Sequence, residues 1–433
     1  MNIIDVCKFA NEYLEKKGRT KKFNELEDII IKRNNADDIY VFARDVKGAD
    51  ISKLTEAIIV SQSASNMYRF AKWVEGSDIN KLTDAICETK SAEVIYRFAK
   101  DINGVDVNKL TDAICKTKSA EYIYEFAKNV EEADLTKFAD AICKTKSAEY
   151  IYRFAKNVEG ADISKLTDAI LSINDPYYIL AYAQDIKGAD ISKLTDAIIK
   201  TQEAKYIYQF ARDIKGADVN KLTEAIIKTQ DGRYIYEFTR NIEGADISKL
   251  TDAIIETQDA VRIYNCADEI KGVDINKLQD AIIKIQDARE IYRFARKIKG
   301  ADITKLTDAI IKTNSFMYIC DFAEEIKGAD IKKLQNVIIK SQDAIFIWRF
   351  AKNVKGADVK KLTNAIIETQ DAEYMYRFSQ DVKDAGIKEL NDAIIRTGNM
   401  KYIRKINNIQ ISEKEMQSDI DEKMDEIIDN LLY

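Results

Sequence analysis

Histidine is missing from all 433 residues. That removes the usual base partner of a serine or cysteine nucleophile and the most frequent zinc ligand. The 15 glycines stand singly, most of them 28 residues apart (Gly48, Gly76, Gly104, then Gly160, Gly188, Gly216), so no clustered loop of the phosphate-cradling kind exists. Residues 1–21 lack the basic start, apolar run and cleavage site of a signal peptide. Carboxylates are plentiful, but every candidate acid or base recurs in almost every unit described below, whereas an active site is singular. The chain is therefore expected not to be an enzyme, and to have no catalytic, cofactor or metal site.

Excess charge is also scarce. The net charge of −6 comes from 73 acidic and 67 basic residues. Residues 411–433 alone hold eight acidic residues and two lysines, leaving 65 of each sign in residues 1–410. As a whole, a neutral body shows neither the basic stripe of a nucleic-acid groove nor the acidic surface of a DNA mimic, although a neutral sum leaves room for a local stripe.

What the chain has instead is a period. The unit at residues 190–217, DISKLTDAIIKTQEAKYIYQFARDIKGA, returns every 28 residues without insertion. Its opening aspartate recurs twelve times, from Asp50, Asp78 and Asp106 through Asp190 to Asp330 and Asp358. So strict a period identifies stacked repeats. With the aspartate as position 1, apolar residues at positions 2, 5, 8 and 9 (Ile191, Leu194, Ala197, Ile198) share one face of a helix A. Positions 15, 18, 21, 22 and 25 (Ala204, Ile207, Phe210, Ala211, Ile214) make the inward stripe of a helix B.

Punctuation agrees with that division. Aspartate at position 1 and Asp or Ser at position 14 are N-caps. The single proline, Pro176, follows the cap Asp175 at the first helical position, where a missing N–H costs nothing. Glycine at position 27 suits the left-handed residue past a helix end. One unit cannot bury enough surface to fold alone, and stacking supplies the rest.

The expected fold is all-α: a solenoid of about 13 two-helix repeats, elongated into a superhelix. Residues 1–21 are expected to form an N-terminal capping helix with a basic turn at 17–22. Residues 22–410 form the repeats, the first degenerate with Lys22 at position 1 and the last frayed with Gly386 there. In residues 411–433, Met416, Ile420, Met424, Ile427, Ile428 and Leu431 are expected to line one face of an acidic amphipathic helix, either a lid on the last repeat or a helix for partner binding or self-association.

Cys87, Cys115 and Cys143 share position 10 with isoleucines (Ile199, Ile227, Ile255), which argues for core packing. With no disulfide pattern, a reducing cytoplasm is the expected location. On helix A, lysine at position 4 and Asp or Glu at position 7 recur, and Asp112 with Lys116 has the favourable spacing for an ion pair within the helix. The other reading of that face is a ladder gripping a regular polymer.

Helix B varies where helix A does not. The centre of its outer face, positions 16 and 20, changes from unit to unit, and positions four apart are neighbours on one face. A partner is expected to contact Arg69, Arg97, Arg153, Tyr177, Lys205, Arg233, Arg293, Ile345, Arg349 and Arg377 there. Tyrosines at position 17 (Tyr122, Tyr150, Tyr178, Tyr206) flank the stripe, and Val261, Met317, Ile345 and Phe346 are apolar residues expected to point outward.

The phrase T-D-A-I-I-K-T-x-x-A-x-Y-I-Y-x-F-A-R-D-I-K-G-A-D resembles a short helical repeat of uncharacterised proteins from Firmicute-type bacteria and their phages, over about residues 22–405. More distantly the architecture is similar to HEAT, armadillo and tetratricopeptide solenoids, without the tetratricopeptide Trp-Leu-Gly-Tyr pattern. The resemblance implies a solenoid and brings no activity with it. Two classes of function follow. The first is a scaffold that binds a protein through helix B, with a phage-type inhibitor or decoy of a host defence protein as a special case. The second is a reader of single-stranded nucleic acid, with bases stacked on the tyrosines. No membrane contact is expected.

Overall fold

The computed structural model describes residues 2–131 and 133–407. Among them are 29 α-helices and no strand, arranged as regular helix pairs: an α-solenoid. The acidic segment 411–433 lies outside the described residues. The chain divides into two compact units, Met1–Thr229 and Gln230–Tyr433. Within each, an A helix packs against the B helix of its own repeat and that of the preceding one, and successive B helices pack on each other.

The spacing of the apolar residues sets the core. In the repeat of Asp190, helix A is Ile191–Thr201 and helix B is Ala204–Asp213. Leu194, Ile198, Ile207 and Phe210 are fully buried, and the equivalent side chains are buried throughout. Position 6, which the apolar pattern passes over, is buried too, because its threonine hydroxyl returns to the helix. Thr195 Oγ1 donates to the Ile191 carbonyl at 2.7 Å, and Thr83 and Thr251 repeat the bond.

Capping is less uniform than the sequence suggests. The position 1 carboxylate accepts from the position 4 amide, as in Lys193 N–H to Asp190 at 3.0 Å. At position 14 the aspartates cap, Asp231 accepting from Arg233 and Tyr234 N–H, but Ser63, Ser91, Ser119, Ser147 and Ser315 make no side-chain cap bond. The hydroxyl at position 12 bridges the turn instead: Thr313 Oγ1 donates to the Ile310 carbonyl and accepts from Ser315 N–H. Ser315→Asp is therefore expected to add a cap bond and stabilise by about 0.5–1 kcal/mol, read as a higher midpoint of thermal unfolding.

The A–B turn holds a second surprise. Position 13 has φ of +51 to +63° in thirteen repeats and is filled by Gln, Lys or Asn, with glycine only at Gly398. At the other turn, glycine takes the left-handed place, for example Gly216 at φ +85°. The N-terminal boundaries also shift. Helix α1 is Ile3–Lys17, α2 is Lys21–Lys32 and α3 is Ala36–Asp45. The basic residues expected in a turn at 17–22 thus mostly belong to helix ends, and Thr20 caps α2 where Lys22 could not. Among the described residues no helix is long and apolar enough to cross a membrane.

Candidate interaction surface

Helix A presents charges that are already matched. In most repeats the position 4 lysine reaches the position 7 acid of the preceding one: Lys81 to Glu56 at 3.0 Å, Lys137 to Asp112 at 2.7 Å, Lys221 to Asp196 at 2.8 Å, Lys333 to Asp308 at 2.9 Å. Lys53 with Asp28, Lys165 with Asp140 and Lys277 with Asp252 make the same rung. The Asp112–Lys116 pairing expected within one helix is replaced by Asp112–Lys137. Stacking sets the two conserved positions side by side, whereas position 11 varies (Val60, Glu88, Lys116, Ser172) and cannot supply a regular rung. Where position 7 is Asn336, Lys361 turns back to its own Asp358 at 3.6 Å. Each rung is exposed and adds little by itself.

Helix B carries a second ladder, made by a residue the sequence reading left unmarked. The aromatic ring at position 19 packs on the ring at position 17 of the next repeat. Tyr96 meets Tyr122 and Tyr124 meets Tyr150 at 6.1 Å between centroids, and in the second unit Tyr292 meets Tyr318 at 6.0 Å and Trp348 meets Tyr374 at 5.9 Å. The position 23 cation lies over the same ring, as Lys156 over Tyr152 at 5.3 Å and Lys352 over Trp348 at 4.9 Å. That cation also pairs with the position 24 acid of the following repeat, Lys72 with Asp101 and Lys156 with Asp185, both at 2.7 Å. Hydrogen bonds from the lysine and the tyrosine hold Asp101 and Asp185 below the ordinary carboxylate range. These rungs contribute their stability above the usual aspartate pKa of about 4 and lose it as pH falls through the lowered value. The tyrosines expected to flank a binding stripe are thus half-buried parts of the stack.

Two breaks in the ladder explain two of the stripe arginines. Position 17 is Asn66 in one repeat and Glu290 in another, and there the position 20 arginine takes the place of the ring. Arg69 stacks on Tyr40 at 4.2 Å and accepts orientation from Asn66, whose side-chain oxygen its guanidinium reaches at 3.0 Å. Arg293 stacks on Tyr264 at 4.0 Å and donates to both carboxylate oxygens of Glu290 at 2.9 Å. Glu290 is 1% exposed.

All ten residues expected to contact a partner lie on helix B, but the structure sorts them. Arg97 pairs with Glu93 at 2.9 Å, Arg153 with Glu149 at 2.7 Å, Arg377 with Glu373, and Arg349 with Asp321 of the preceding repeat. Together with Arg69 and Arg293, six arginines are engaged by neighbours. Lys205 and Arg233 lie over Tyr206 and Tyr234. Tyr177 is 58% exposed, and Val261, Met317 and Ile345 are 43–44% exposed. Phe346, expected to point outward, is half-buried against Phe316 at 5.8 Å. Cys320 stands at position 19 of that repeat where most others have tyrosine, so Phe346 finds no ladder ring there.

The position 10 cysteines are half-buried at the edge of helix A, not in the core as their exchange with isoleucine suggests. Burial, with the nearby Asp84 and Asp112 charges, pushes Cys87 and Cys115 up to about 11 from 9.0. Alkylation at neutral pH, followed by mass spectrometry, is expected to run on the order of 100-fold slower than for an ordinary thiol, since the thiolate is the nucleophile. Among the described residues no group of His, Cys, Asp and Glu is placed to hold a metal ion. No family model matches the chain, and no curated protein matches it.

Proposed function

We propose that this chain is a repeat scaffold that binds a protein partner through the outer face of its B helices, centred in the second unit on Val261, Arg289, Met317 and Ile345. The observation that carries this reading is the contrast at position 16. Positions 17, 19 and 23 build ladders between repeats and most position 20 arginines are paired, while position 16 changes from repeat to repeat: where it is Glu93, Glu149 or Glu373 it pairs with the arginine of its own helix, and in the second unit it leaves large apolar side chains exposed at Val261, Met317 and Ile345. Exposed apolar residues clustered in successive repeats mark contact surfaces. Arg289, 67% exposed, adds a cation among them and suits a partner with apolar and acidic side chains.

A protein suits this face better than single-stranded nucleic acid. Bases would have to stack on rings that already pack on the next repeat's ring and under a cation, and acids such as Glu93, Glu121 and Glu149 stand on the same face. Affinity capture from host lysate tests the reading, using wild-type chain beside Val261→Ser/Met317→Ser/Ile345→Ser, each with and without nuclease. A protein held through nuclease and lost from the triple variant supports it. A protein the triple variant retains, or one released by nuclease, overturns it.

A further inference from the structure

α1 and α2 border a largely apolar groove. α1 packs on α3 as one B helix packs on the next, so it occupies a B place. In the inner repeats the B helix has an A helix beside it that also touches the following A helix. Beside α1 and α2 no described helix fills that slot. What remains is a groove of about 430 Å³ lined by Val6, Phe9, Tyr13, Phe23 and Leu26, with Lys22 at its edge. Phe9 is 60% exposed, and Lys16, Lys17, Lys21 and Lys22 around the turn are exposed.

We infer that this groove receives the acidic segment 411–433 of a second copy, which lies beside α1 and α2 as an A helix would and joins copies head to tail. Three observations converge on that occupant. Its apolar residues, Met416, Ile420, Met424 and Ile427 among them, recur at helical spacing and give one apolar face to lay in the groove. Its net charge is −6, from eight acids and two lysines, and it meets the lysines of the turn. It is also long enough, since the A helices run 10 to 12 residues. Groove and segment are different surfaces, so the contact is heterologous and each added copy presents a new groove and a new segment.

Sedimentation velocity on the full chain tests this, with Phe9→Asp to spoil the groove and Ile420→Asp to spoil the segment. Circular dichroism checks that each variant is folded, and Lys21→Glu/Lys22→Glu serves as a second groove variant that touches no apolar side chain. Wild-type mass is expected to rise with concentration, and both Asp variants alone should stay monomeric. Mixed in equal amounts they should form a dimer and nothing larger, because one sound groove and one sound segment remain. Lys21→Glu/Lys22→Glu should weaken association about tenfold or more at low salt. A wild-type chain that is monomeric at all concentrations overturns the inference, as it would if Ile420→Asp merely lowered the melting temperature of a monomer. Association that survives Phe9→Asp, or a mixture that stays monomeric, overturns it equally.

Discussion

Arg293→Ala is expected to destabilise the chain by about 2–4 kcal/mol, a range between losing a charge-assisted hydrogen bond and leaving a buried carboxylate unpaired. Glu290 is 1% exposed, and both its oxygens accept from Arg293. Removing the guanidinium takes away both of these bonds, leaving only Arg289 Nε at 3.9 Å from the carboxylate, and also uncovers the Tyr264 ring on which Arg293 lies. Urea unfolding followed by circular dichroism measures the loss. The decisive companion is Glu290→Tyr/Arg293→Ala, which restores the tyrosine that other repeats carry at position 17. It is expected to recover most of the lost stability, because a ring then packs on Tyr264 as Tyr318 packs on Tyr292. If the double variant is as unstable as the single, the guanidinium does not stand in for a ladder ring. The same pair separates structure from recognition, since Arg293 lies on the face proposed to meet a partner.

Met317→Asp and Ile345→Asp are each expected to weaken partner binding by about 2 kcal/mol, on the order of 30-fold, the cost of spoiling an interface anchor. Their stability should change by no more than about 0.5 kcal/mol, because both side chains are already 44% exposed. Calorimetric titration with the captured partner, beside thermal unfolding of each variant, reads the two quantities separately. Charge reversal at Arg97 or Arg153 provides the contrast. Those guanidiniums are paired with Glu93 and Glu149 in the same helix, so their loss should alter affinity far less than either apolar change. A partner insensitive to Met317→Asp and Ile345→Asp but released by Arg97→Glu would move the contact to the first unit's arginines.

Much of the architecture was legible in the chain. The 28-residue period, the apolar stripes ending in Leu194, Ile198, Ile207 and Phe210, the position 1 caps and the left-handed glycines each read out as local structure, because each depends on residues within a few positions of one another. The candidate surface was legible only as a face. Sequence placed positions 16 and 20 on one side of helix B, and that holds, but variation marked engaged arginines and exposed apolar residues alike.

What the sequence by itself determined is therefore the repeat: two helices, their boundaries and the side each turns inward, all set by spacing along one chain. Only the tertiary structure decided which outward residues are spent holding repeats together. Asp112 could pair with Lys116 four residues on or with Lys137 a full repeat away, and Arg293 could reach outward or fill the place of a ring. Both choices depend on which side chains stacking brings within a few ångströms. A strict period lets every residue meet its counterpart one unit later, yet says nothing of which contacts form.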